Sequence, residues 1–241
     1  MAERSIVAGT GRWEGLLVLG VNTCGASGSV ALARHDGAKA LILGQTALAG
    51  RSYSATLVSA VRALLEEHRA ALEDVWAIVV VNGPGSFTGV RVGLSAVKGL
   101  AEPGQVPVVA VSRLAVLAAK AGVPSAALDA HRHEVFLRLA ESDGRIRESL
   151  AGLGELSAVV PRPVKIAVCD DSAAVLLGSV WKETELVQCE APTAGDAIQL
   201  CAAAIMAREF VNLALLDGHY LRRSDAEIFG DNPASPKVRN A

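Results

Sequence analysis

IVVVNGPGSFTGVRVGLSAVKGLA, residues 78–101, carries the strongest pattern in the chain. Its first four residues, Ile78 to Val81, form a continuous β-branched run, the mark of a strand buried on both faces. Gly83-Pro84-Gly85 ends the run abruptly, because glycine allows positive φ and Pro84 removes a ladder donor. Ser86 is placed to cap a helix, its hydroxyl accepting from an orphan amide of the first turn. Within that helix Arg91, Ser95 and Lys98 share a narrow polar face, and Val90, Leu94, Val97 and Ala101 line one flank. Gly89, Gly93 and Ala96 make a second flank almost free of side chains. The pattern predicts a helix sandwiched between its own sheet and a second helix, with the glycine flank open to the close approach of a partner backbone.

Working outward, Leu16 to Val21, Ser29 to Arg34 and Ala40 to Gln45 read as three strands, the last two joined by the Asp36-Gly37 turn. A helix follows over Ser54 to Arg69, with Leu57, Val58, Val61, Leu64 and Leu65 at helical spacing. Beyond the glycine-faced helix comes a strand over Val106 to Val111, and then the pattern restarts. Leu114 to Ala121 reads as helix, Ser125 to Asp129 and Val135 to Ala140 as a hairpin around His131, and Val164 to Cys169 as strand. Ala173 to Leu177 reads as helix, Leu186 to Cys189 as a short strand, and Asp196 to Phe210 as one long helix. The domain reading is an N-terminal extension over 1–15, a first α/β lobe over 16–110, a second over 111–229 whose last helix packs back on the first, and a loose tail over 230–241.

The chain has 241 residues, 51% of them hydrophobic and 20% charged, enough apolar material for real cores and too much for disorder. Aromatics are scarce at 4%, which argues against base-stacking platforms for single strands. A net charge of −2 and no long basic run argue against gripping a phosphate backbone unaided. Cys24, Cys169, Cys189 and Cys201 show no C-x-x-C spacing and read as plain thiols of a reduced compartment. Met1 to Gly15 has no apolar core of a signal peptide, and no apolar run approaches a membrane span. The expectation is a cytoplasmic protein with no membrane partner.

Other constellations carry two readings each. The Gly83, Gly85 and Ser86 loop is either an anion or nucleotide site at a helix N-terminus or a tight strand-to-helix turn. His131 and His133, near Asp129 and Glu134, read as an H-x-H metal site or as strand-end residues of mixed charge. Ser86 and Thr88 lack a neighbouring histidine to activate them as nucleophiles, so capping is the stronger reading. Arg91 and Lys98 either meet phosphate or an acidic partner, or are a solvated helix face.

The segment GPGSFTGVRVGLSAVKGLA, Gly83 to Ala101, resembles the signature of the bacterial TsaB family, also called YeaZ. The opening LVLGVNTCGASGSVALARHDG, the stretch LDAHRHEVF (Leu128 to Phe136) and HYLR (His219 to Arg222) are similar to further landmarks of that family, in the same order. The resemblance implies a two-lobed actin/Hsp70-like (ASKHA) α/β fold and a noncatalytic subunit of the machinery that forms threonylcarbamoyladenosine beside the tRNA anticodon. The partners it implies are a TsaD-like catalytic subunit, a TsaE-like ATPase, tRNA through the complex, and a second copy of the chain when alone. It implies no cofactor of the chain's own, with a nucleotide conceivable at the partner interface. The dimer surface it implies is the helix pair Ser54 to Arg69 and Ser86 to Glu102, for which Leu57, Val61, Leu64, Val90, Gly93, Leu94 and Val97 are the candidate interface residues.

Departures bear on catalysis. TsaD holds a metal with two histidines one helical turn apart, at positions that correspond to Arg113 and Leu117 here. None of His35, His68, His131, His133 and His219 has a histidine partner at i, i+4. Asn22 stands where the family's first turn usually has Asp, and Tyr53 where it tends to have His. The rivals are an ASKHA-type phosphotransferase or a peptidase-like enzyme, opposed by Asn22 and the missing histidine pair, and a stand-alone regulatory homodimer.

Overall fold

The computed structural model describes residues 15–222 apart from 38, 51 and 142, so the N-terminal extension and the tail over 230–241 lie essentially outside the described residues. The chain forms two compact units. Of the described residues, the first takes those up to Asn82, Ser86–Val111 and Pro192–Asp217; the second takes Gly83–Gly85, Ser112–Ala191 and those from Gly218 to Arg222.

The first unit opens with β1 (Leu16–Asn22), β2 (Ser27–His35) and β3 (Ala40–Ala49), then helix α1 (Tyr53–Glu67), β4 (Val75–Val81), α2 (Phe87–Gly104) and β5 (Val108–Val111). The sheet order is β3-β2-β1-β4-β5. β1 and β2 pair antiparallel with Leu19 opposite Leu32, whereas β1, β4 and β5 run parallel with Leu19 beside Ile78 and Ile78 beside Val108. Ile78 to Val81 are at most 1% exposed, as expected of a central strand covered on both faces.

The second unit repeats the plan with α3 (Arg113–Lys120), β6 (Ala126–Asp129), β7 (Val135–Ala140), β8 (Ile146–Ala151), α4 (Leu153–Ala158), β9 (Lys165–Val168), α5 (Asp171–Val180) and β10 (Glu185–Gln188). Its order, β10-β9-β6-β7-β8, is again an antiparallel meander of three strands with two parallel strands added beside the first. Trp181 anchors this core, its indole N–H donating to the Leu156 carbonyl at 2.8 Å among Leu137, Ile166 and Leu177.

The chain then returns to the first unit as α6 (Ala194–Leu200) and α7 (Ala202–Met206). α6 lies so close to β1 that a Cβ on Gly20 would sit 2.8 Å from the Ala194 carbonyl oxygen. A single cut near residue 110 therefore understates the topology, since 192–217 belongs with the first unit.

Three expectations change. The helix over Asp196 to Phe210 is two short helices broken at Cys201 (φ −84, ψ 2), where the Ala202 carbonyl turns to the buried His35 ring at 3.1 Å. Its end folds over so that Phe210 meets Trp76 edge-on at 5.7 Å. β8 and α4 were not anticipated, because the polar sequence of β8 gives it the weak pattern of an edge strand. His131, Arg132 and His133 do not lie on a strand: all three adopt left-handed φ near +60° in the β6–β7 turn. No helix among the described residues is long and apolar enough to cross a membrane.

Candidate functional site

The strand-to-helix turn forms as its residues dictate. Gly83 has φ +121, and a Cβ there would sit 2.8 Å from the His219 carbonyl oxygen. Its own carbonyl accepts from the Arg113 amide at 2.6 Å. The Ser86 hydroxyl accepts from the Gly89 amide at 3.3 Å, the capping contact expected of it, while the Ser86 amide donates to the Cys24 carbonyl at 2.8 Å. These amides are spent on holding the turn.

Of the small-residue flank of α2, Gly89 and Gly93 face inward, while Ala96 does not. Gly89 and Gly93 are buried against Thr23 in the β1–β2 turn, whose hydroxyl donates to the Gly89 carbonyl at 2.7 Å. A Cβ on Gly89 would overlap the Thr23 carbonyl oxygen, and one on Gly93 would overlap the Thr23 hydroxyl. The close neighbour that these glycines admit is the protein's own turn. The candidate interface residues share this fate: Leu57, Val61, Leu64, Val90, Gly93, Leu94 and Val97 are all buried within the first unit. The helix periodicity that singled them out marks the face turned into the unit, and of the seven Leu57 also underlies the groove between the two helices.

What remains open is the other side of the same two helices. A groove of about 320 Å³ runs between α1 and α2, walled by Ser54, Val58, Arg91, Val92, Ser95 and Ala96, with Tyr53 and Leu57 beneath. Val58 is 55% exposed and Phe87, at the head of α2, 45%. The Arg91 guanidinium carbon stands 3.8 Å from the Phe87 ring centroid, a cation–π stack at the groove's edge. Tyr53 turns its ring inward, 6% exposed, and its hydroxyl donates to the Gly25 carbonyl at 2.9 Å. It thus ties the start of α1 to the β1–β2 turn.

Asn22 is 1% exposed, and both ends of its amide are committed. Its Oδ1 accepts from the Cys24 amide at 3.1 Å, and its Nδ2 donates to the Pro192 carbonyl at 2.8 Å. A carboxylate could not make the second bond, which gives asparagine a structural reason at this position.

In the second unit Glu148 gathers three donors: Ser112 Oγ at 2.7 Å, Arg138 Nη1 at 2.7 Å and His219 Nε2 at 2.8 Å. Burial pushes its carboxyl up, but the bonds from His219, Ser112 and Arg138 outweigh burial and hold it below the usual carboxylate range. The serine and the histidine both address the carboxylate, so this is an anchoring cluster rather than a relay from base to nucleophile. Arg222 reaches the Ala130 carbonyl at 2.9 Å and pairs with Glu134, which pins the HYLR segment to the same unit. His131 is 86% exposed at its side chain, with Nδ1 2.9 Å from Asp129 Oδ2. Among the described residues no three His, Cys, Asp or Glu side chains come together as a metal site. Burial pushes the Cys169 thiol up to about 11 and that of Cys201 up to about 12, so both are poor nucleophiles.

Two units of one repeated meander-plus-parallel plan define the class: this is a two-lobed α/β protein of the ASKHA type. The comparisons with known proteins narrow it. Residues 46–161 match the family model described as TsaD, tRNA N6-adenosine threonylcarbamoyltransferase. The solved structure of YeaZ from Pseudomonas aeruginosa is 31% identical and superimposes with a TM-score of 0.69, over 86% of this chain and all of that one. A second Pseudomonas aeruginosa structure, of an uncharacterized protein with similarity to peptidase YEAZ, is 30% identical with a TM-score of 0.71 over the same shares. The tRNA threonylcarbamoyladenosine biosynthesis protein TsaB of Bacillus subtilis (strain 168) is 34% identical over 128 residues, 52% of this chain and 55% of that protein. The chain belongs to the YeaZ family, whose members also carry the name TsaB. In sequence it spans about half the length of the curated relatives it matches.

Proposed function

We propose that this chain is the noncatalytic partner subunit in tRNA threonylcarbamoyladenosine formation, docking a TsaD-type catalytic subunit through the open face of α1 and α2. The observation that carries the reading is the groove between those helices, floored by hydrocarbon and flanked by the exposed Val58 and Phe87. Exposed apolar surface of this kind is what a partner's helix buries. Three residues support the noncatalytic half. Arg113 and Leu117 stand where the resemblance puts the metal-binding histidines of TsaD, and neither side chain has a lone pair to give a metal. Asn22, tied at both ends, is not free to serve a phosphate-bound metal. In this reading tRNA and a TsaE-type ATPase meet the chain within the complex, and any nucleotide belongs to the partner interface.

The test is reconstituted tRNA modification with TsaD-type and TsaE-type subunits and the threonylcarbamoyl-adenylate donor, with and without this chain. Modification is expected to require the chain, and Val58→Asp is expected to abolish both docking and modification while leaving the thermal unfolding curve unchanged. Turnover by the chain alone, or full modification with Val58→Asp, overturns the proposal.

A further inference from the structure

We infer that Cys169 and Cys189 form a reversible oxidation site in the second unit, closing to a disulfide when a hydroperoxide reaches Cys189. They are the two cysteines of this unit, and the structure records both as thiols. The pairing comes from the strand ladder rather than from sequence spacing. β9 and β10 run parallel, with Ile166 beside Leu186 and Val168 beside Gln188. The Cys189 amide continues that ladder, donating to the Val168 carbonyl at 3.0 Å, so the next pair in register is Cys169 and Cys189. Neighbouring strands lie about 4.8 Å apart, and a disulfide spans about 4.4–6.8 Å between Cα atoms. The faces agree as well. Ile166 and Val168 pack with Trp181 in one core cluster, while Ala167, Cys169 and Cys189 turn to the other, with Leu114, Leu117 and Leu221. Residues side by side in a parallel pair point the same way, so both sulfurs lie on the α3 face of the sheet.

The two thiols differ in access. β10 is the edge strand of its sheet, and Cys189 stands between the exposed Gln188 and Glu190. Cys169 lies one strand further in. Burial, with smaller pushes from Asp170 and Cys189, raises its thiol to about 11 against the pull of Arg113 and Lys120. Cys189 therefore meets the oxidant, and Cys169 resolves the product. With hydrogen peroxide, the Cys189 thiolate attacks one oxygen, the O–O bond breaks, and a sulfenic acid and water result. The Cys169 sulfur then attacks that of Cys189, the S–O bond breaks, and hydroxide departs as water with the Cys169 proton. Two electrons pass from the sulfurs to the peroxide, and a dithiol reductant returns them. The bond fastens the edge strand β10 to β9, beside the cluster that seats Leu221 of the HYLR segment.

The experiment treats the full folded chain with hydrogen peroxide in mildly alkaline buffer, quenches with catalase, and unfolds it in urea with N-ethylmaleimide. Digestion with trypsin and a glutamyl protease cuts after Lys182 and Glu190, which puts Cys169, Cys189 and Cys201 on three separate peptides for mass spectrometry. Cys169 and Cys189 are expected to lose maleimide labelling together and to appear as one cross-linked peptide pair, while Cys24 and Cys201 stay labelled. Dithiothreitol should restore both labels. In Cys169→Ser the sulfenic acid should persist at Cys189 and be trapped by dimedone, whereas in Cys189→Ser the Cys169 thiol should remain labelled. Labelling of the pair equal to the untreated chain overturns the site, as does a cross-link to Cys201 or to a second copy as the main product. Sulfinic acid at Cys189 with Cys169 still labelled overturns the resolving role. Oxidation of Cys169 in Cys189→Ser as fast as in the parent overturns the order of the two steps. The unsubstituted chain decides the site by itself if either variant fails to fold.

Discussion

Helix α2 contains three interior glycines whose replacement by alanine is expected to act with different signs. In an exposed helix interior Gly→Ala gains about 1 kcal/mol, because alanine has less backbone freedom to lose. Gly99 has no neighbour within 4 Å of a new Cβ, so Gly99→Ala should stabilise by about that amount. Gly93→Ala earns the same gain but drives its Cβ into the Thr23 hydroxyl, and overpacking of this kind costs about 1–3 kcal/mol. If Thr23 rotates away it also forfeits its bond to the Gly89 carbonyl, about 1 kcal/mol more. The net expectation is a loss of about 1–2 kcal/mol. Thr23→Ala removes the offending oxygen, and the next obstacle, Thr23 Cβ, is an ordinary contact at 3.5 Å. In that background Gly93→Ala should revert to stabilising, a coupling of about 2–3 kcal/mol in a double-mutant cycle. Gly89→Ala meets the Thr23 carbonyl oxygen instead, which no side-chain change removes, so it should stay destabilising in both backgrounds. Urea unfolding followed by far-UV circular dichroism reads all of these. The packing argument fails if Gly93→Ala stabilises as Gly99→Ala does, or if Thr23→Ala makes no difference to it.

Further outcomes follow from the polar groups. Asn22→Asp should destabilise by about 1–3 kcal/mol, since it loses the bond to the Pro192 carbonyl and buries a charge against it. Burial raises the new carboxyl, so the penalty should grow as pH rises above the ordinary carboxylate range, visible as a melting-temperature gap between variant and parent that widens with pH. Glu148 behaves oppositely: its folded pKa is depressed, so its contribution is present above the unfolded value near about 4 and fades as pH falls through the lower folded value. Glu148→Gln should lower stability at neutral pH and flatten the acid limb of a melting-temperature profile. Cys169 and Cys201, with thiols raised to about 11 and about 12, should react with Ellman's reagent at neutral pH only after urea unfolds their unit.

Much of the fold was readable from side-chain pattern. Ile78 to Val81 announces a central strand by unbroken branching, Ser86 announces the cap it makes, and the Asp36-Gly37 turn falls where a hairpin needs it. Patterns failed where local and tertiary preferences diverged. The run from Asp196 to Phe210 is helical by period, yet the buried His35 claims a carbonyl beside Cys201 and the helix breaks there. His131 and His133 alternate as strand residues would, but the turn holds them in left-handed conformation.

The same division runs through the candidate site. Period and residue size alone identify α2 as a helix with an apolar flank and a flank stripped of side chains, and mark this region as the one to study. Which neighbour meets the glycines of the stripped flank depends on residues far off in the chain, and the structure assigns it to Thr23. Periodicity says which residues share a side of a helix, but only packing says what lies against that side. The side of these helices left open by that packing carries Val58, Arg91 and Ala96.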